Sequence, residues 1–256
     1  MWYRVKKYFS FLWQSKNQHG VHSPFVYDFV TKCLYDRKKY PEYKLLKAHR
    51  KSLTDSKEVI EVTDFGAGSL VFTSNTRPIA AIAKNAGATR ARQKILFRVA
   101  SYFNIQKSLE LGTSVGLATA ALALAKKNKI TSLEGCPQTA AVAEKHLKQF
   151  DIENVNLVVG DFKETLLAEA KKSFDLIYFD GNHSKDATLT YFEQLLPTIH
   201  NDTVWIFDDI YWSEGMTEAW EEIKRHPQVT VTIDCYWLGF VFFRREQEEE
   251  HFVIRA

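Results

Sequence analysis

A chain of 256 residues with 45% hydrophobic and 25% charged side chains is long enough to bury a substantial core, and no apolar run in it approaches the length that a membrane-spanning helix requires. The formal net charge of +3 gives no concentrated basic face of the kind that grips a phosphate backbone, so composition supplies no case for nucleic acid as a partner. Cys33, Cys136 and Cys235 stand far apart with neither CxxC nor Cys/His ligand spacing, which argues against a disulfide framework or a structural zinc site and fits a cytoplasmic chain.

The opening segment MWYRVKKYFSFLW is basic and aromatic. It lacks the continuous apolar stretch and small-residue cleavage site of a secretory signal and is read as part of the mature protein. Helices are expected around Tyr3–Ser15, Ser23–Leu34 and Arg90–Phe103, with a candidate strand at EVIEV. Residues 1–100 are therefore taken as a helical cap and residues 101–256 as the main domain. From Lys107 onward strands alternate with helices. KSLELGT, KITSLEG, VNLVVGDF, FDLIYFDG and TVWIFDD read as strands, and the nearly unbroken apolar run of the fourth marks a strand covered on both faces. Between them VGLATAALALAKKN, TAAVAEKHLKQF, KETLLAEAKKS and DATLTYFEQLLPTIH read as helices. GMTEAWEEIKRH follows as a helix with acids early and bases late, as the helix dipole favours. VTVTIDCYWLGFVFFRR closes the pattern as two strands joined by a tight turn, and EQEEE beyond it reads as a solvated turn. The sum is an α/β class chain with a doubly wound, mostly parallel seven-stranded sheet, whose ligands bind beyond the carboxyl ends of the strands.

The segment Leu109-Glu110-Leu111-Gly112-Thr113-Ser114-Val115-Gly116 carries a strand through glycines into a helix, a place where backbone approaches a ligand closely. A dinucleotide fingerprint starting at Gly112 would need glycine at 114 and 117, where Ser114 and Leu117 stand. With an acid two residues before the first glycine and a glycine four after it, the segment instead resembles motif I of the class I S-adenosylmethionine-dependent methyltransferases. The resemblance covers about Lys107 to Arg245 and implies a Rossmann-like fold. It implies that Glu110, Gly112, Ser114 and Gly116 form the turn that carries the methionine part of S-adenosylmethionine. It further implies that Glu134, ending the second strand, accepts from the ribose hydroxyls. Asp161 after the third strand takes the place of the adenine-contacting acid, with Phe162 lining the adenine pocket. Ser114 departs from the glycine that many members carry. A second glycine-rich stretch, Asp64–Ser69, is not followed by a helix start and is read as a loop or lid segment rather than the cofactor turn.

Methyl transfer needs an acceptor that is positioned and deprotonated. Asp180-Gly181-Asn182-His183 follows the fourth strand and Asp208-Asp209 ends the fifth, so three carboxylates are expected at one rim, where a hard divalent cation would relieve their repulsion. The arrangement resembles the metal-dependent O-methyltransferases of the catechol and caffeoyl-CoA type and of the macrolide-sugar type. That resemblance implies a magnesium ion on Asp180, Asp208 and Asp209, with His183 as base three residues after Asp180. Asp209 departs from the asparagine of the catechol group. Other readings stay open: Asp180 as a helix cap, the aspartate pair acting without metal, His183 as a loop histidine, and Trp212 as either packing residue or substrate platform.

The expected partner is a small hydroxylated acceptor, with a homodimer left open. A nucleic-acid methyltransferase is the alternative enzyme, disfavoured by DGNH where base methylators carry (Asn/Asp)-Pro-Pro-aromatic. A non-catalytic cofactor-binding module is the alternative outside enzymes. His19, His22 and Ser23 form a weaker cluster, with Ser23-Pro24 reading as a helix start. The first helix, with Lys6, Lys7, Trp2 and Trp13, is expected to dock on the body rather than on a membrane.

Overall fold

The computed structural model describes residues 2–63, 74–125 and 128–256. The Asp64–Ser69 stretch lies outside the described residues. The chain divides into two compact units, a terminal unit built from Met1–Tyr35 with Leu166–Ala256 and a central unit of Asp36–Thr165. No helix among the described residues is long and apolar enough to cross a membrane.

The terminal unit opens with α1 (Trp2–Gln14). One face of α1 docks: Phe11 is buried, the Tyr3 hydroxyl donates to Thr217 Oγ1 at 2.8 Å, and the Arg4 carbonyl accepts from the Tyr236 hydroxyl at 2.6 Å. Trp2, Phe9 and Trp13, on the opposite face at helical spacing, are exposed. The short α2 (Pro24–Phe29) has Pro at its first position and Ser23 as cap, the Ser23 hydroxyl accepting from the Val26 N–H, and runs on into a π-type turn over Val30–Leu34.

In the central unit, α3 (Glu42–Thr54) leads to a hairpin of β1 (Val59–Glu61) and β2 (Thr76–Pro78), then α4 (Ile79–Asn85) and α5 (Arg90–Tyr102), which Thr89 caps. Next come β3 (Lys107–Leu111), α6 (Leu117–Ala123), β4 (Lys129–Glu134), α7 (Pro137–Gln149) and β5 (Val155–Val159). The three strands β3, β4 and β5 pair in parallel, with Leu111 opposite Leu133 and Glu134 opposite Val159. Leu53, Ile79, Ile82, Val115, Leu117 and Val142 share one apolar cluster, so α3 and α4 pack against the start of α6 and fix the turn that precedes it.

Helix α8 (Phe162–Glu169) spans the boundary between the units. The terminal unit resumes with β6 (Leu176–Phe179), α9 (Lys185–Leu195), β7 (Val204–Asp208), α10 (Glu214–Lys224), β8 (Val231–Asp234), β9 (Leu238–Phe242) and β10 (Glu250–Val253). Strands β6 and β7 are parallel, and β9 runs antiparallel to both β7 and β8, giving the expected hairpin. The expected seven strands are joined by an eighth: β10 pairs in parallel with β8, and Glu250, the last residue of EQEEE, begins it rather than lying in a turn. Trp205, Trp220, Tyr178, Phe192, Phe207, Phe240 and Phe242 fill the core of this unit.

Candidate functional site

The glycine turn of the central unit is made of backbone. Gly112 and Gly116 have φ of 98° and 82°, and Ser114 between them takes φ 49°, a left-handed conformation that costs a side-chain-bearing residue about 1–2 kcal/mol. A Cβ on Gly116 would also meet the Ala143 Cβ at 3.3 Å, so this glycine both turns the chain and lets α6 approach α7. The turn is pinned to β4 by the Gly112 and Thr113 N–H groups, which donate to the Leu133 carbonyl at 2.9 and 3.2 Å.

Glu134 ends β4 half-buried, and its carboxylate organises the site. Oε2 accepts the Ser114 N–H at 2.7 Å and Oε1 accepts the Cys136 N–H at 2.9 Å, so one side chain ties the glycine turn to the start of α7. Glu110 is fully buried instead; its Oε2 accepts from the Thr119 hydroxyl at 2.6 Å and from the Ser132 hydroxyl. It is placed to brace the turn from beneath. Asp161 follows β5 and caps α8, Oδ1 accepting the Lys163 N–H at 2.9 Å, while Phe162 is the half-buried first residue of that helix.

The remaining sequence-derived residues sit at the carboxyl ends of β6 and β7 in the terminal unit. His183 Nε2 stands 3.5 Å from Asp180 Oδ1, both side chains largely covered. Asp208 is buried, and its Oδ1 accepts the Asp209 N–H at 3.0 Å. Asp209 takes φ 52° and also donates its N–H to the Trp237 carbonyl at 2.9 Å. The Trp212 and His183 ring centroids are 6.3 Å apart.

A residue absent from the sequence expectations links the two aspartates. The Tyr178 hydroxyl lies 2.9 Å from Asp208 Oδ2 and 3.2 Å from Asp180 Oδ2, and its ring is wholly buried. Its signal was a lone hydroxyl in the apolar run LIYF, two residues before Asp180 and therefore on the same strand face. Among the described residues no three His, Cys, Asp or Glu side chains gather at metal-ligand spacing, so Asp180, Asp208 and Asp209 are not assembled as a cation cage. Elsewhere, His19 and His22 are exposed and Ser23 serves as the cap of α2.

Burial shapes two further groups. Asp234 at the end of β8 accepts from the Tyr211 hydroxyl at 2.5 Å, and burial pushes its carboxyl above the usual range. In the central unit, burial holds the His49 imidazole down at about 4, with His146 and Arg50 acting in the same direction.

Residues 109–210 match the methyltransferase-domain family. The chain is similar in this region to the class I methyltransferases. It is related to the catechol and caffeoyl-CoA group: the catechol O-methyltransferase of Mycobacterium tuberculosis is 28% identical over 133 residues, a match covering 50% of this chain and 60% of that relative. An SAH-bound methyltransferase of Podospora anserina superposes with a TM-score of 0.63 at 15% identity, over 88% of this chain and 97% of that one. The O-methyltransferase of Bacillus cereus in complex with SAH gives 0.54 at 18% identity, over 80% and 92%. At these identities the structures show a shared fold, the α/β Rossmann-like methyltransferase fold with a mostly parallel sheet.

Proposed function

We propose that this chain is an S-adenosylmethionine-dependent O-methyltransferase acting on a small hydroxylated molecule. The observation that carries the reading is the Glu134 carboxylate at the end of β4, which ties the left-handed glycine turn to the start of α7. Gly112, Ser114, Gly116 and Glu134 would hold the cofactor, with Asp161 and Phe162 at its adenine end; when bound, S-adenosylmethionine supplies a methyl group on a positively charged sulfur. Asp180 steadies the His183 ring through Nε2, His183 takes the proton of the acceptor hydroxyl, and the carboxylate offsets the imidazolium charge that results. Tyr178 keeps Asp180 and Asp208 at a fixed separation through one hydroxyl. The magnesium-assisted variant fits the described residues poorly, because that hydroxyl fills the space between the two carboxylates and no third ligand joins them.

The test uses purified chain, S-adenosylmethionine and catechol, with methylated product read by mass spectrometry. His183→Ala lowers the rate by about two to four orders of magnitude while SAH binding by calorimetry stays unchanged, and EDTA leaves the wild-type rate intact. Failure of the wild-type chain to bind S-adenosylmethionine overturns the reading, and loss of activity in EDTA with recovery on magnesium overturns its metal-free form.

A further inference from the structure

Arg4 occupies an unusual position in the terminal unit. Its guanidinium carbon lies 4.4 Å from the centre of the Trp212 ring and 5.6 Å from that of Trp237, a cation set against two aromatic faces. Its backbone is fixed as well, since the Arg4 carbonyl accepts the Tyr236 hydroxyl at 2.6 Å and Tyr236 stacks on Tyr211 with ring centroids 5.2 Å apart. Both tryptophans are tied to the loop after β7: the Trp212 N–H donates to the Asp209 carbonyl at 2.7 Å, and the Trp237 carbonyl accepts the Asp209 N–H. Arg4 and His183 thus lie against the same indole, that of Trp212.

Arg4 is half-buried, and no carboxylate among the described residues stands within ion-pair distance of it, whereas Arg244 pairs with Asp202 and Glu246 and Lys185 with Glu218 and Glu222. A partly desolvated cation without a counter-ion is costly to keep unless something else pairs with it. Asp180 and Asp209 would repel an acidic ligand, a repulsion that a cation against the Trp212 ring offsets. The Trp237 ring is 42% exposed, so the aromatic floor beneath Arg4 is open to a planar molecule.

Resting on the transferase reading above, we propose that Arg4 anchors a carboxylate of the methyl acceptor over the Trp212–Trp237 floor, which makes the acceptor class a hydroxyaromatic acid. The acceptor's ring lies on the indoles, its carboxylate takes the two-pronged pairing that a guanidinium offers, and its hydroxyl is directed toward His183.

Calorimetry on the full chain, with and without SAH, compares protocatechuate with catechol, which share the two hydroxyls and differ in the carboxylate. The wild-type chain binds protocatechuate at least about tenfold more tightly. Arg4→Gln, which retains the backbone carbonyl that Tyr236 holds, loses that preference with catechol affinity unchanged, and Arg4→Lys recovers only part of it. Equal affinities in the wild-type chain, failure of both compounds to bind, or an undiminished preference in Arg4→Gln overturns the anchor. Turnover of the two compounds is read separately. Arg4-dependent binding without methylation keeps the anchor and removes the transferase reading; methylation of both compounds indifferent to Arg4 does the reverse.

Discussion

The two units carry their candidate residues on different materials. In the central unit the work is done by main chain: three alternate left-handed positions at 112, 114 and 116, held by N–H groups donating to the Leu133 carbonyl and the Glu134 carboxylate. In the terminal unit it is done by side chains drawn from distant parts of the sequence: Arg4, Tyr178, Asp180, His183, Asp208 and Trp212. A backbone site demands particular residues at fixed spacing and can change little. A side-chain site can be re-specified one residue at a time, which is where acceptor choice belongs.

The units also differ in their response to pH, and this gives the largest expected effect. His49 titrates near 6.5 when unfolded and at about 4 in the folded chain, so its neutral form is the one the fold accepts. Stability is complete above pH 6.5 and declines as pH falls toward 4, by about 3 kcal/mol in all; His146, also lowered by burial, adds in the same sense. In the terminal unit His251, lowered by burial, acts in the same sense as His49, but Asp234 acts oppositely, because a raised carboxyl contributes stability at low pH that is lost as pH rises through its folded value. All six tryptophans belong to the terminal unit. Acid titration followed by far-ultraviolet circular dichroism should therefore show loss of structure at a higher pH than tryptophan fluorescence does. His49→Leu should bring the two curves together, and coincident curves in the unaltered chain would erase the contrast.

Glu134→Ala comes next. It removes the acceptor of two backbone N–H groups along with the proposed ribose contact, and SAH affinity should fall by about two orders of magnitude in calorimetry. An unchanged affinity in a folded variant would mean that the turn is not the cofactor site. On the side-chain half, Tyr178→Phe keeps the ring and removes the hydroxyl between Asp180 and Asp208. Chemical denaturation should report a loss of about 2 kcal/mol; a variant as stable as its parent would show that the hydroxyl does not hold the pair. The smallest change is Ser114→Gly, which frees a left-handed position of its side chain and should stabilise the chain by about 1 kcal/mol. A destabilised variant would show that the Ser114 hydroxyl contributes more than its backbone strain costs.

How much was legible in the sequence follows the same division. The glycine spacing and the acids ending β4 and following β5 could be placed because backbone requirements leave a local trace in residue type. The aspartates and His183 could be placed at strand ends for the same reason. Tyr178 was hidden because a single hydroxyl hardly alters an apolar run, and Arg4 because nothing local connects it with Trp212. Strand β10 was missed because its pairing with β8 needs no apolar face: Glu250 and His251 are exposed and Phe252 and Val253 only half-buried. The π-type turn over Val30–Leu34 likewise has no compositional mark.

The terminal unit is assembled from the two ends of the chain, and this bears on the order in which the protein is made. Residues 36–165 are one continuous stretch that clusters as a compact unit, so they can begin to fold as soon as they leave the ribosome. Helix α1 emerges long before its docking partners Thr217 and Tyr236 and must wait for them. Prior folding of the intervening stretch shortens the effective loop that α1 has to close and lowers the entropic cost of doing so. Until then the helix presents both its docking face and Trp2, Phe9 and Trp13 to its surroundings, which makes α1 a segment for a chaperone to cover.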